Sequence, residues 1–145
     1  AADGKAPPVA LVTVQGGIFT EGVDYPGALC IGAIIVGPGL PRVSFERALI
    51  QAHYERAYRR GFDYAFLYPG MSRVIQAAGR VIRTATDEGV VVLVGDRFAT
   101  DRYARLFPRD WYGNTPHELV VDDPYGALVR FWKARDAARL SSAHG

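Results

Sequence analysis

The residues with the clearest chemical potential lie in Gln76-Ala77-Ala78-Gly79-Arg80-Val81-Ile82-Arg83. At about 100° per residue, a helix through this segment gathers Gln76, Arg80 and Arg83 within roughly 60° of one another. Val74, Ala77, Ala78, Val81 and Ile82 occupy most of the remaining circumference, the pattern of a helix buried on nearly every other side. Two guanidiniums on such a helix must meet a solvent-filled cleft or an anion, because burying one unpaired costs on the order of several kcal/mol. A planar guanidinium binds two phosphate oxygens at once, so the stripe has the chemistry of a phosphate clamp. Gly79 costs about 1 kcal/mol against alanine inside a helix and marks a close approach by backbone or ligand. The stripe can also be read as a solvated arginine face, or as arginines paired with structural carboxylates.

A second segment, Gly16-Gly17-Ile18-Phe19-Thr20-Glu21-Gly22-Val23-Asp24-Tyr25-Pro26-Gly27, follows an apolar run, where an α/β sheet places its ligand crevice. Its glycines permit backbone contact with phosphate or ribose, Thr20 offers a hydroxyl, and Asp24 can accept from a ribose hydroxyl. An ordinary surface connection has the same composition.

The elements that must position these groups alternate. Residues 1–8 read as a disordered or extended lead-in. Val9-Ala10-Leu11-Val12-Thr13-Val14 reads as a buried strand, and Ala33-Ile34-Ile35-Val36 as another, stopped by Gly37-Pro38-Gly39. A helix follows with Ser44 as N-cap, Glu46 in its first turn, and Gly61 after Arg59-Arg60 as its C-cap. Phe62 to Tyr68 reads as a short strand or a packed loop. Ser72 caps a helix running to about Ile82, Val90-Val91-Val92-Leu93-Val94 is an apolar strand, and a short helix around Asp101 to Leu106 ends before Pro108. Glu118 to Val121 reads as a last strand, and Asp123-Pro124 opens a terminal helix carrying Tyr125, Leu128, Val129 and Trp132 on one face. Apolar strands alternating with helices indicate an α/β fold with a mostly parallel sheet flanked by helices.

Taken together, the two chemical segments resemble motifs V and VI of superfamily 2 helicases, most closely those of the XPD/DinG family of DNA helicases. The resemblance is carried by Thr20-Glu21-Gly22-Val23-Asp24, by Gln76 to Thr84, by Thr86-Asp87-Glu88-Gly89-Val90 and by Asp96-Arg97-Phe98, and runs from about Val9 to Trp111. It implies a RecA-like lobe of the P-loop NTPase type over residues 9–145, an incomplete second lobe expected to leave a sheet edge exposed or to borrow a partner's. It implies that Arg83 is an arginine finger on the γ-phosphate, Arg80 a second phosphate or transition-state contact, and Gln76 a group that orders the attacking water or the γ-phosphate. Gly22 and Asp24 would lie near the nucleotide and couple its state to the DNA track, and Thr20 would lie near the DNA backbone. The implied activity is that of an ATP-dependent DNA helicase in a longer protein. ATP and Mg²⁺ would be shared with an N-terminal helicase lobe, and single-stranded or forked DNA would be the track. The family allows a 4Fe–4S cluster in the parent protein but places none on this chain. The alternative is a non-catalytic, helicase-like docking module.

Composition sets the bounds. With 145 residues, 49% hydrophobic and 22% charged, the chain suits one folded domain. A net charge of +2 does not make the whole chain a nucleic-acid binder. Lys5 and Lys133 are its only lysines, and neither stands in Gly-x-x-x-x-Gly-Lys-[Ser/Thr], so the phosphate-cradling loop of a P-loop ATPase is expected on another lobe and the isolated chain is expected to be inactive. Val120-Val121-Asp122-Asp123 resembles the end of a Walker B strand, but Pro124 favours a helix N-cap. His53, His117 and His144 are scattered and Cys30 is the only cysteine, which predicts no metal site, a reducing environment and a cytoplasmic location. No apolar run approaches the ~20 residues of a membrane span. Tyr54, Tyr58, Phe62, Tyr64, Phe66 and Tyr68 read as core or interlobe packing, or as a stacking surface for bases, while Arg56, Arg59, Arg60 and Arg73 read as a solvated face or phosphate contacts. Trp111, Phe131 and Trp132 read as core.

Overall fold

A computed structural model describes residues 9–17, 29–84 and 86–142. Two strands form its sheet, β1 (Gly32–Val36) and β2 (Val90–Val94), paired in parallel with Gly32 opposite Val90 and Val36 opposite Val94. β-Branched side chains dominate both, as pleated, half-buried backbone favours. The pairing continues past both ends: Val90 N–H donates to Ile31 O at 3.1 Å and Gly37 N–H to Val94 O at 2.9 Å.

A parallel pair needs a long crossover, supplied here by helices. Helix α1 (Phe45–Tyr58) starts where Ser44 Oγ accepts the Arg47 N–H at 3.3 Å, and it ends at Arg59, which takes the left-handed conformation with φ 56°. The expected C-cap, Gly61, instead opens the next helical stretch: a π-helical turn, Asp63–Leu67, runs directly into helix α2 (Tyr68–Ala78). The segment 62–68 is thus neither strand nor loop, because its apolar residues follow a helical spacing that buries Ala65, Phe66 and Leu67. Gly70 is where α2 passes the 37–40 turn; a Cβ there would lie 2.6 Å from Pro38 O.

Beyond β2 come a 3₁₀ turn (Asp96–Ala99), the short helix α3 (Asp101–Ala104), two further 3₁₀ turns (Arg109–Trp111 and Pro116–Leu119) and the terminal helix α4 (Pro124–Ser142). Asp123 caps α4, its carboxylate accepting the Gly126 N–H at 2.8 Å, as the Asp-Pro pair predicts. The strand expected at 118–121 is absent: Thr115 and Glu118 form a reciprocal capping box, and Glu118 also accepts from the N–H groups of Gly113 and Asn114, which turns the chain into a 3₁₀ helix.

The core lies on one face of the sheet. Ile35 meets Leu67, Met71, Val74 and Ala78 from the crossover and Phe98, Tyr103, Ala104 and Phe107 from the segment after β2. Ile34 and Val36 point the other way and are 72% and 73% exposed. Val9 to Val14 is not the buried strand expected: it has no strand pairing, and Val12 is 95% exposed. Such a run becomes a strand only where a neighbour takes up its N–H and C=O groups. Phe131 on α4 is not core either, being 39% exposed. Among the described residues, no helix is long and apolar enough to cross a membrane.

Candidate functional site

Helix α2 delivers the arginine motif but does not carry all of it. Buried Val74 and Ala78 anchor its inner face, and Gln76 is exposed on its last turn. The helix stops at Ala78, four residues before the expected end, with Gly79 N–H donating to Ile75 O at 2.9 Å. Arg80 then sits in a turn, Val81 drops into the core at 2% exposure, and Arg83 follows in a loop. The single-face stripe is therefore corrected: only Gln76 is on the helix, because burial of Val81 draws the chain inward just after Gly79. Gly79 itself is not a point of close approach, since a Cβ there would make ordinary contacts of 3.4 and 3.6 Å with Ile75 O and Gln76 O.

What fixes Arg83 is a carboxylate that motif reasoning left without a role. Asp87 Oδ2 accepts the backbone N–H groups of Arg83 at 3.0 Å and Thr84 at 2.9 Å. Those N–H donors, the Arg83 bond foremost, hold the Asp87 carboxyl below the usual carboxylate range. The loop is thereby closed back onto Gly89, which packs so tightly that a Cβ would meet Val81 Cγ1 and the Ile31 carbonyl. Asp87 accepts from residues three and four positions before it, which is a loop closure and not an Asx-turn, so no local pattern in the sequence marked it. Arg80 and Arg83 are both half-buried. Arg73, one face round on α2, donates from Nη1 to Gly39 O at 3.3 Å, which ties it to the turn after β1. Thr20, Gly22 and Asp24 lie outside the described residues.

An open cleft of about 580 Å³ lies between this loop and α4, lined by Ile82, Asp87, Glu88, Gly89, Phe131 and Arg135 among others. Its charged groups are engaged. Glu88 pairs with Arg135 and with Arg139, at 3.2 Å, on α4, and the Arg135 hydrogen bond keeps its carboxyl low. Arg135 also lies over the Trp132 ring at 5.0 Å. The cleft is a seam that seats α4 beside the arginine loop. Among the described residues, no group of His, Cys, Asp and Glu is arranged to hold a metal ion.

Comparison with known proteins bears directly on this motif. The family model described as "Helicase C-terminal domain" matches residues 3–114, which span β1, α1, α2, the arginine loop and β2. The chain belongs to the helicase C-terminal domain family. Relatives include the "Regulator of telomere elongation helicase 1 homolog" of Caenorhabditis elegans, 30% identical over 87% of this chain and 13% of that protein. A "probable ATP-dependent helicase" of Methanocaldococcus jannaschii is 32% identical over 70% of this chain and 16% of its own length. The "3'-5' exonuclease DinG" of Bacillus subtilis is 35% identical over 61% and 10% respectively. The family match and these relatives agree with the XPD/DinG resemblance, and the fold here, mixed α/β with a small parallel sheet, is consistent with a helicase C-terminal lobe. The chain spans well under a fifth of the length of these relatives.

Proposed function

We propose that this domain is the C-terminal motor lobe of an ATP-dependent DNA helicase or translocase, supplying the arginine finger to ATP held by a separate N-terminal lobe. In this reading residues 9–145 act as one lobe with 1–8 as a lead-in. The docking of α4 against Glu88, beyond the matched residues, supports that extent. Single-stranded or forked DNA is the track, and the protein works in the cytoplasm.

The observation that carries the reading is the Gln76-x-x-Gly79-Arg80-x-x-Arg83 motif placed at a helix end whose following loop is pinned by Asp87. Charge builds on γ-phosphate oxygens during transfer, and a fixed guanidinium aimed at them stabilises the transition state without reorganising. A finger of this kind contributes roughly 10³–10⁵ in rate. Arg83 takes that role, Arg80 a second phosphate oxygen, and Gln76, exposed on the last turn of α2, orients water. Gly22 and Asp24 would report nucleotide state to the DNA side, where Thr20 and Arg73 meet the track. ATP and Mg²⁺, which neutralises the phosphates when bound, would be shared with the other lobe, which would hold the triphosphate cradle.

The test is DNA-dependent ATP hydrolysis by a protein that joins this domain to such a lobe. Turnover that rises on adding single-stranded DNA is expected. Turnover that ignores DNA rejects the motor reading, and absence of turnover with or without DNA leaves the non-catalytic docking module.

A further inference from the structure

A continuous aromatic and cationic patch lies on α1, the π-helical turn and α3, away from the arginine motif in sequence. Its centre is Asp63, whose side chain is 7% exposed and faces three arginines. Arg102 binds Oδ1 through Nε at 3.1 Å and Nη2 at 2.6 Å, and Arg60 Nε binds Oδ2 at 3.1 Å. Arg105 stands 3.7 Å from Oδ2 with its side chain 54% exposed. Arg102 and Arg60 already give this carboxylate three hydrogen bonds, and Arg105 reaches it only as a longer ion pair. Three guanidiniums around one carboxylate leave two positive charges, and the shared anchor limits the entropy each long side chain would lose on meeting an anion.

From this cluster the aromatics run on without a break. Arg60 hydrogen-bonds the Tyr68 hydroxyl and lies over that ring, Tyr68 meets Tyr64 edge-on at 5.1 Å, and Tyr64 stacks on Tyr54 at 3.9 Å and 4°. Tyr58 ends the ladder, 5.9 Å from Tyr54 and tilted 27°, and is 62% exposed. A ring leaned on its neighbour and open to water on its outer side is a ready stacking platform. The left-handed Arg59 next to it adds a further exposed cation.

We propose that this patch is a contact track for single-stranded nucleic acid, with phosphates taken by Arg105 and its Asp63-held neighbours and a base stacked on Tyr58. The inference deepens the DNA-motor reading and rests on it. The chemistry favours a nucleic acid over an acidic protein because one exposed ring face, Tyr58, ends an aromatic ladder that begins at a cluster of guanidiniums with net positive charge, the combination that sequence-tolerant single-strand binding uses.

The experiment is fluorescence anisotropy of a labelled oligothymidylate of about 16 nucleotides, titrated with the full chain at several salt concentrations and without nucleotide. Arg105→Gln should weaken binding and reduce the salt slope by about 0.7, the value for one single-strand phosphate. Tyr58→Ala should weaken binding about five-fold or more, with the slope unchanged, and Tyr58→Phe should restore it. Both positions are exposed, so far-ultraviolet circular dichroism should match the parent chain. Failure of the parent chain to bind, either substitution lacking its effect, or equal competition by a polyglutamate peptide overturns the proposal. None of these outcomes touches Arg83, whose role is judged separately by ATP turnover.

Discussion

Asp63→Asn isolates the electrostatic part of the fold. The wild-type carboxylate accepts three hydrogen bonds, two from Arg102 and one from Arg60, with Arg105 close by. Hydrogen bonds to charged groups contribute about 1.5–3 kcal/mol each when sheltered, but these arginine side chains are 45–54% exposed, which moves them toward the ~0.2–1 kcal/mol of surface pairs. Asparagine keeps an acceptor of the same shape and loses the charge, so the expected cost is about 1–2 kcal/mol at neutral pH, or roughly 4–8 °C in Tm for a chain of this size. The pH dependence has a definite sign. Burial pushes the Asp63 carboxyl up, but hydrogen bonds and charge from Arg102 and Arg60 outweigh it and hold the group below the ordinary range. Its stabilisation is therefore complete above about pH 5, where the unfolded carboxyl is also ionised, and is lost as the pH falls through the lower folded value. Thermal melts followed by circular dichroism should show a constant gap between the two proteins at neutral pH that closes on acidification. An unchanged Tm at neutral pH, or a gap that persists into strong acid, would refute the reasoning.

Asp87→Ala in a protein joined to the ATP-holding lobe should lower kcat at least ten-fold with little change in nucleotide affinity, measured by steady-state ATPase, because Arg83 loses the anchor for its loop; Asp87→Asn should fall between. Gly70→Ala should destabilise the chain by about 1–3 kcal/mol in urea melts, as a Cβ 2.6 Å from Pro38 O forces α2 off the turn after β1. Arg135→Ala should loosen α4, seen as faster amide exchange across 124–142 and weaker protection in high salt, while β1 and β2 stay protected; uniform exchange would show that Glu88 does not seat the helix.

Strands β1 and β2 were legible because short β-branched runs bounded by glycine have few alternatives, and both ends of the Ser44 helix followed local chemistry except for its cap. Arg59 took the left-handed position that glycine was expected to hold, which a sequence shows only when the tertiary contacts of the next turn are known. Those contacts also made 62–68 helical: Tyr64 and Tyr68 are one turn apart and ring-paired, a spacing readable as helix once Pro69 is taken as its first-turn proline. Val9 to Val14 misled because an apolar run states a preference for burial, not the presence of a partner. At the site, the identity of the arginine motif was plain from spacing, whereas its geometry was not. A rotation of about 100° per residue presumes that the helix continues, and buried Val81 ends it. Asp87 escaped notice because a carboxylate whose main partners are backbone N–H groups leaves no charge-pair signature.

The central claim concerns Arg83, and single-turnover γ-phosphate cleavage on preformed ATP complex tests it with binding removed from the rate. With Arg83→Ala, cleavage should fall by roughly 10³-fold or more while the nucleotide dissociation constant shifts only modestly, and Arg83→Lys should recover little. Cleavage within a few-fold of wild type would contradict the account.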